Sequence, residues 1–218
     1  MNKTEKYAYS LIYFFVILGV YFAWTDHEYF QAVYVREDGL IEWLTVIALL
    51  CGAGLCFARV QKLKSRKGRT FILATIFLGC LFIFGAGEEI SWGQRLLEIK
   101  SPDFFKENNS QHETNLHNLV VSGKKVNKII FGTILGIFIG LYFLVLPYFY
   151  HRVEKVKKLI NSLAIPLPKN YHVFAYLGLL ALAHASGSGK KGELLEFGGC
   201  WIFFLMTLYP YNEDEYKL

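Results

Sequence analysis

The chain has 218 residues, 54% of them hydrophobic and 17% aromatic, and a net charge of +5. This length suits one domain or one bundle, and the apolar fraction is too high for an ordinary soluble enzyme. The positive charge does not describe a nucleic-acid groove, because the basic residues fall in short segments between apolar blocks.

Those blocks are about 15–22 residues long, the length that crosses a hydrocarbon core of about 30 Å at 1.5 Å per residue. They lack the polar stripe of a soluble helix. Residues 1–6 are basic, with Lys3 and Lys6, and residues 7–24 form the first span. No small-x-small site follows it, so it reads as retained rather than cleaved. Residues 25–39 are an acidic loop carrying Asp26, Glu28, Glu37 and Asp38. The second span covers 40–58, with Glu42 just inside it, and 59–69 is the densest basic run, from Arg59 to Arg69. The third span covers 70–87, and its helix is predicted to run on as far as about Glu98. On that helix Glu88, Ser91 and Arg95 share a face.

A polar segment, 88–127, separates the third and fourth spans. Ser101-Pro102 reads as the start of a short helix that ends at Asn108-Asn109. Ser110-x-x-Glu113 fits a capping box for a second short helix running to Ser122. In that helix Glu113 and His117 meet at i and i+4. Residues 128–150 form the fourth span, 171–185 the fifth and 193–209 the sixth. The predicted fold is therefore all-α: a single integral membrane domain of about six transmembrane helices, with short interfacial helices between spans three and four. Cys51, Cys56, Cys80 and Cys200 lie within the blocks at spacings that fit no metal or disulfide framework, so they read as apolar fillers.

Six spans place both termini on one side. That side carries Lys3, Lys6, the six basic residues of 59–69, Arg152, Lys155, Lys157, Lys158, Lys169 and Lys217, fourteen of the 23 Lys and Arg. The positive-inside rule makes it cytoplasmic. Glu42, Glu88, Glu89, Glu113, His117, His184, Glu193 and Glu196 then all fall near the extracytoplasmic interface. Carboxylates at membrane depth cost about 2–3 kcal/mol each on insertion scales, so such a gathering points to function.

The roles follow from residue type. Glu88, Glu89, Glu42 and Glu196 are candidate acid–base groups. Arg95, Gln94, Trp92 and Asn118 are candidate substrate-binding groups, Arg95 for an anionic headgroup. Glu88, Glu113, His117 and Glu196 could ligate a divalent metal, Zn or Mg. Each has a simpler alternative: a Glu88–Arg95 ion pair, Trp92 as an interfacial anchor, Glu113 as a helix cap. HETNLH is not a zincin motif, since His112 and His117 are five apart rather than four. SGSGKKG at 186–192 is not a P-loop, because His184 and Lys191 stand where Gly and Ser or Thr are required, so no nucleotide is implied. His151 and His172 lie at the opposite end from His184, which argues against haem.

GEEISWGQR at 87–95 and NLHN at 115–118 resemble a pattern found in a family of small bacterial polytopic membrane proteins of unassigned function. Glu37, Asp38 and Glu42, and ELLEFGG at 193–199, are similar to it as well. The resemblance implies a bacterial membrane protein and no particular chemistry; the expected localisation is the bacterial inner membrane. From the residues, the leading expectation is a membrane-embedded hydrolase or transferase acting on a lipid or lipid-linked substrate at the extracytoplasmic interface. The rivals are an ion-coupled transporter using the same carboxylates and a non-catalytic assembly subunit.

Overall fold

The computed structural model describes residues 1–116, 118–121, 124–125 and 134–217. Helix α1 spans Lys3–Thr25. Asn2 caps it: its Oδ1 accepts from the Glu5 amide at 2.8 Å, and its own N–H donates to the Glu5 carboxylate at 2.7 Å. Asp26 ends α1 and caps α2, His27–Tyr29, which continues as a π turn over Phe30–Tyr34. Helices α3, Leu40–Leu63, and α4, Arg69–Glu89, form an antiparallel pair. After a 3-10 turn at Ser91–Gly93 come α5, Asp103–Asn108, and two-residue strands β1, Val120–Val121, and β2, Lys124–Lys125, paired antiparallel. Helix α6, Leu135–Gly140, a π turn over Leu141–Val145, and α7, Leu146–Arg152, form one continuous apolar stretch. Helices α8, Glu154–Ser162, α9, Asn170–Ala185, and α10, Lys191–Leu208, follow, and a 3-10 turn over Glu213–Tyr216 leads to the C-terminus.

Four helical stretches are long and apolar enough to cross a membrane: α1, α3, α4 and Leu135–Arg152. Helix α9 has 16 residues, or about 24 Å at the helical rise. Helix α10 has 18 but carries Lys191, Glu193 and Glu196 in its first two turns. The outer surface of the bundle supports a membrane setting. Phe14, Ile17, Phe77, Phe138, Leu144 and Phe174 are each 53–70% exposed. Large apolar side chains exposed along the long helices are compatible with a surface that faces lipid.

The core sits where α1, α9 and α10 meet, around Val16, Phe30, Leu179, Ala183, Leu194 and Ile202. Helix α10 is the hub, touching α1, α3 and α9. The α6–α7 stretch joins through Phe143, whose ring lies 5.1 Å from Tyr176 of α9 and 5.6 Å from Phe203 of α10. Helices α3 and α4 approach closely at Gly52, where a Cβ would stand 2.8 Å from the Phe82 ring. Small residues let helices reach such distances in apolar surroundings, where close packing rather than water expulsion drives association.

Consecutive long helices run in opposite directions, so the loops collect at two ends. At one end Trp24 Nε1 donates to Ala185 O at 2.9 Å and Lys190 Nζ to Gln31 O at 3.2 Å. At the other, Tyr171 bonds to Glu5, Lys67 pairs with Glu215 at 2.7 Å, and Lys169 pairs with Glu213 at 3.3 Å. Both ends of the chain therefore lie together, at the end opposite the polar 90–119 segment.

Three local expectations are corrected. Helix α4 stops at Glu89 rather than near Glu98, because Ser91, Trp92 and Gly93 take left-handed backbone angles, with φ of 47°, 55° and 74°. No helix starts at Ser110. Its hydroxyl donates to Asn118 O, residues 110–116 are irregular, and Asn109 bridges to Leu119. Glu113 is therefore no helix cap, and the predicted i, i+4 pairing with His117 lacks its helix; His117 itself lies outside the described residues. Between the third and fourth spans, α5 is the one short helix among the described residues. A further short amphipathic helix, α8, lies at the opposite end of the bundle, with Ile160 buried and Lys155, Lys157 and Lys158 exposed.

Candidate functional site

The left-handed turn after α4 builds the site. A non-glycine residue in this region costs roughly 1–2 kcal/mol, so Ser91 and Trp92 need compensation. Trp92 obtains it from Glu88, whose Oε1 accepts the indole N–H at 2.9 Å, and from Gly87, over which the ring lies. A Cβ at Gly87 would stand 2.8 Å from Trp92 Cε3. The other oxygen of Glu88 accepts the Leu116 amide at 2.6 Å, tying the end of α4 to the far side of the polar segment. Ser91 is wholly buried. Its hydroxyl donates to Glu113 and accepts from Asn115 Nδ2 at 2.8 Å.

Arg95 is the centre of this network. Nη1 donates to both oxygens of Glu113, at 2.8 and 2.7 Å, and Nη2 donates to Glu42 Oε1 at 2.8 Å. Nε stands 2.8 Å from Asp38 Oδ2, an ion-pair contact rather than an aligned hydrogen bond, since Nε has no hydrogen-bond acceptor. Burial works to lower the Arg95 pKa, but the hydrogen bonds to Glu113 and the ion-pair contact with Asp38 outweigh it and raise it above the ordinary range. The guanidinium is thus a permanent charge clamping the loop before α3, the first turn of α3 and the 109–116 loop. Glu42 also accepts the Asp38 amide at 2.9 Å. The predicted Glu88–Arg95 pair does not form.

Outer bonds complete the frame. Gln94 Nε2 donates to Ser101 Oγ at 2.6 Å, and its Oε1 accepts the Thr114 amide at 2.7 Å. Ser101, read from sequence as a helix cap, instead donates to His112 O at 2.5 Å. Asn109, buried, donates to Asn115 O and Oδ1 at 3.0 Å each, and its Oδ1 accepts the Gln111 amide at 2.9 Å. The Asn118 amide donates to Asn115 Oδ1 at 3.0 Å, and its side chain bonds to Gln111, which bonds to Glu37. Five of the six described non-glycine residues with positive φ lie in this region: Asp38, Ser91, Trp92, Glu98 and His112. Such clustering is typical of functional sites held by surrounding structure.

A second group lies deeper. Glu89 at the end of α4 interacts electrostatically with Glu193 of α10, Glu42 of α3 and its neighbour Glu88. Glu196, one turn further along α10, interacts with Glu89, Glu193 and Glu42. Cys200, a turn beyond, packs against the α3–α4 core and also senses Glu89 and Glu196. Carboxylates from three helices thus come within electrostatic reach of one another where α3, α4 and α10 pack. Glu42 belongs to both groups and joins them.

The structure brings Glu42, Glu88, Glu89, Glu113, Glu196, Arg95, Gln94, Trp92 and Asn118 to one end of the bundle. His184 is exposed there, bonded through Nδ1 to Leu180 O at 2.9 Å, and takes no part. Among the described residues, no group of three or more His, Cys, Asp or Glu side chains could hold a metal ion. Ser101 and Asn109 were not legible as network members, because their partners are set by loop folding. The sequence reading also missed a buried polar cluster at the opposite end, where Glu5, 2% exposed, bonds to Tyr171 beside the fully buried His172. The one signal for it was an acid just before the first apolar block.

Comparison with protein-family models, with curated proteins and with solved structures gives no match to this chain.

Proposed function

We propose that this chain is a membrane-embedded enzyme, a hydrolase or transferase acting on a lipid or lipid-linked substrate at the extracytoplasmic interface. Six spans with both termini cytoplasmic form the scaffold, α9 and α10 serving as the shorter fifth and sixth. The observation that carries the reading is the electrostatic coupling of Glu89, Glu193, Glu196 and Glu42 from three helices, beside a strained and extensively hydrogen-bonded loop. Carboxylates that repel one another across helices can share protons, as acid–base catalysis requires. In this reading Glu89 and Glu196 are the proton-exchanging pair, one protonating the leaving oxygen while the other draws a proton from water or an acceptor hydroxyl. Arg95 is a positioning residue for Glu42, since its nitrogens are taken by three carboxylates of this chain. Trp92, half exposed and anchored by Glu88, together with exposed Leu96, Leu97 and Ile99, gives the substrate an apolar approach.

The test incubates the purified chain with bacterial lipid extract and follows products by mass spectrometry. Glu89→Gln and Glu196→Gln should each lower turnover by about 10²-fold or more. Full activity in both variants would reject the site. Chelation followed by Zn or Mg add-back, in the same assay, tests a metal role involving His117. The same buried acids also favour a second reading, an ion-coupled carrier. Gradient-driven uptake into vesicles without chemical change would select it.

A further inference from the structure

The opposite end of the bundle carries a cleft with its own chemistry. It measures about 290 Å³ and is lined by Tyr150, His151, Arg152, Glu154, Lys157 and Tyr211. It opens where α7 ends and α8 begins, so it lies at the foot of an apolar stretch and beside a short basic helix. Two observations point to an anion. First, the charges are unspent. Elsewhere on this end, Lys67 pairs with Glu215, Lys169 with Glu213, and Lys217 with Glu213 and Asp214. Among the described residues, Arg152 and Lys157 pair with no carboxylate, although Glu154 lines the same cleft. Arg152 donates only to Tyr148 Oη, at 2.9 Å, over whose ring its guanidinium lies, which leaves Nε and Nη2 to donate. Lys157 has only a distant ring contact, 6.0 Å from the Tyr150 centroid. Second, the approach is apolar: Tyr148 and Phe149 of α7, Val153 and Leu159 are 36–58% exposed around the basic groups.

We propose that this cleft binds the phosphate headgroup of an anionic phospholipid, with its acyl chains lying along α7. Arg152 donates to the phosphate oxygens through its free nitrogens, a geometry suited to paired donors on a phosphate. Lys157 adds a point charge, and Tyr148 holds the guanidinium in place. The exposed apolar residues favour a lipid over a free phosphate ion, since a soluble anion would gain nothing from them. This inference does not depend on the catalytic reading of the other end.

The experiment titrates the full chain in mild detergent with phosphatidylglycerol, phosphatidylcholine or inorganic phosphate, and reads retained ligand by native mass spectrometry. Phosphatidylglycerol should be retained over phosphatidylcholine. The Arg152→Gln/Lys157→Gln pair should lower its affinity by about tenfold or more, as expected for two cations near a charged surface. Lys217→Gln, which removes a cation already paired, should leave affinity unchanged. If the double variant unfolds, Lys157→Gln alone and Arg152→Lys carry the comparison, each with a partial loss. Equal retention of the two lipids, or unchanged binding in the folded cleft variants, overturns the proposal. Inorganic phosphate binding as tightly as phosphatidylglycerol overturns the lipid assignment.

Discussion

Arg95 and Trp92 show how a few side chains can define a loop that no regular element supports. Arg95 bonds to Glu42, 53 residues away, and to Glu113, 18 residues away. Removing it leaves Glu113, Glu42 and Asp38 facing one another without a cation. Breaking a fully buried charge network at one member costs about 3–5 kcal/mol, and the partial exposure of Arg95 (21%) and Asp38 (40%) brings the cost here below that range. Arg95→Ala should therefore lower the thermal midpoint markedly, and Arg95→Lys should recover only part, because an ammonium cannot span three carboxylates. An unchanged midpoint in both would mean that the network does not hold the segment. Gly87→Ala is expected to displace the Trp92 ring, since the new Cβ would stand 2.8 Å from it. A cost of about 1–3 kcal/mol and a shift in tryptophan emission would show this, whereas Gly85→Ala, with 3.5 Å to its nearest neighbour, should be silent. None of this was readable in order along the chain. Glu113 three residues after Ser110 looks like a cap, and only the folded loop hands it to Arg95.

At the scale of elements, apolar length and backbone chemistry go far. An apolar run that leaves water must satisfy its own N–H and C=O groups, and a helix does so locally. The predicted spans at 40–58 and 70–87 therefore reappear as α3 and α4, a few residues longer. What the run does not encode is where it stops when no proline or charge ends it. The stop at Glu89 coincides with the left-handed turn at Ser91–Gly93, which is held by bonds from Ser91 to the distant Glu113 and Asn115. The α3–α4 pair should be sensitive at its closest point: Gly52→Val is expected to cost about 1–3 kcal/mol, read as a lower unfolding midpoint in detergent, because the added side chain meets Phe82. The C-terminal turn gives a pH prediction. Hydrogen bonds from Lys217 and Lys169 hold the Glu213 carboxyl below its ordinary value of 4.5. A lowered folded pKa means that its stabilising contribution is present above 4.5 and fades as pH falls through the lowered value. Hydrogen exchange of the Glu213–Tyr216 amides should be slow at neutral pH and speed up on acidification below about 4.5, after correction for intrinsic rates.

For the whole molecule, the decisive feature is the separation of two chemically different ends. One carries the carboxylates and the strained loop; the other gathers both chain ends, the 59–69 basic run and the Arg152–Lys157 cleft. Single cysteines placed at position 64 and at position 106, in a background without Cys51, Cys56, Cys80 and Cys200, test the arrangement. An impermeant maleimide added to intact cells should label position 106 and spare position 64 until the cells are opened. Labelling of position 64 with position 106 spared would reverse the proposed orientation and move the acidic site to the cytoplasm.

The sequence by itself determined that this chain builds long apolar helices, that its acids and bases are sorted between them, and which stretch carries the dense chemistry. Those are properties of single segments, fixed by the cost of burying a backbone or a charge. Tertiary structure alone decided that α4 ends in a left-handed turn, that Arg95 serves three carboxylates of its own chain, and that Glu89 and Glu196 come within electrostatic reach across helices. Each of these depends on which polar group finds which partner once water is excluded, and the partners come from segments far apart in the chain.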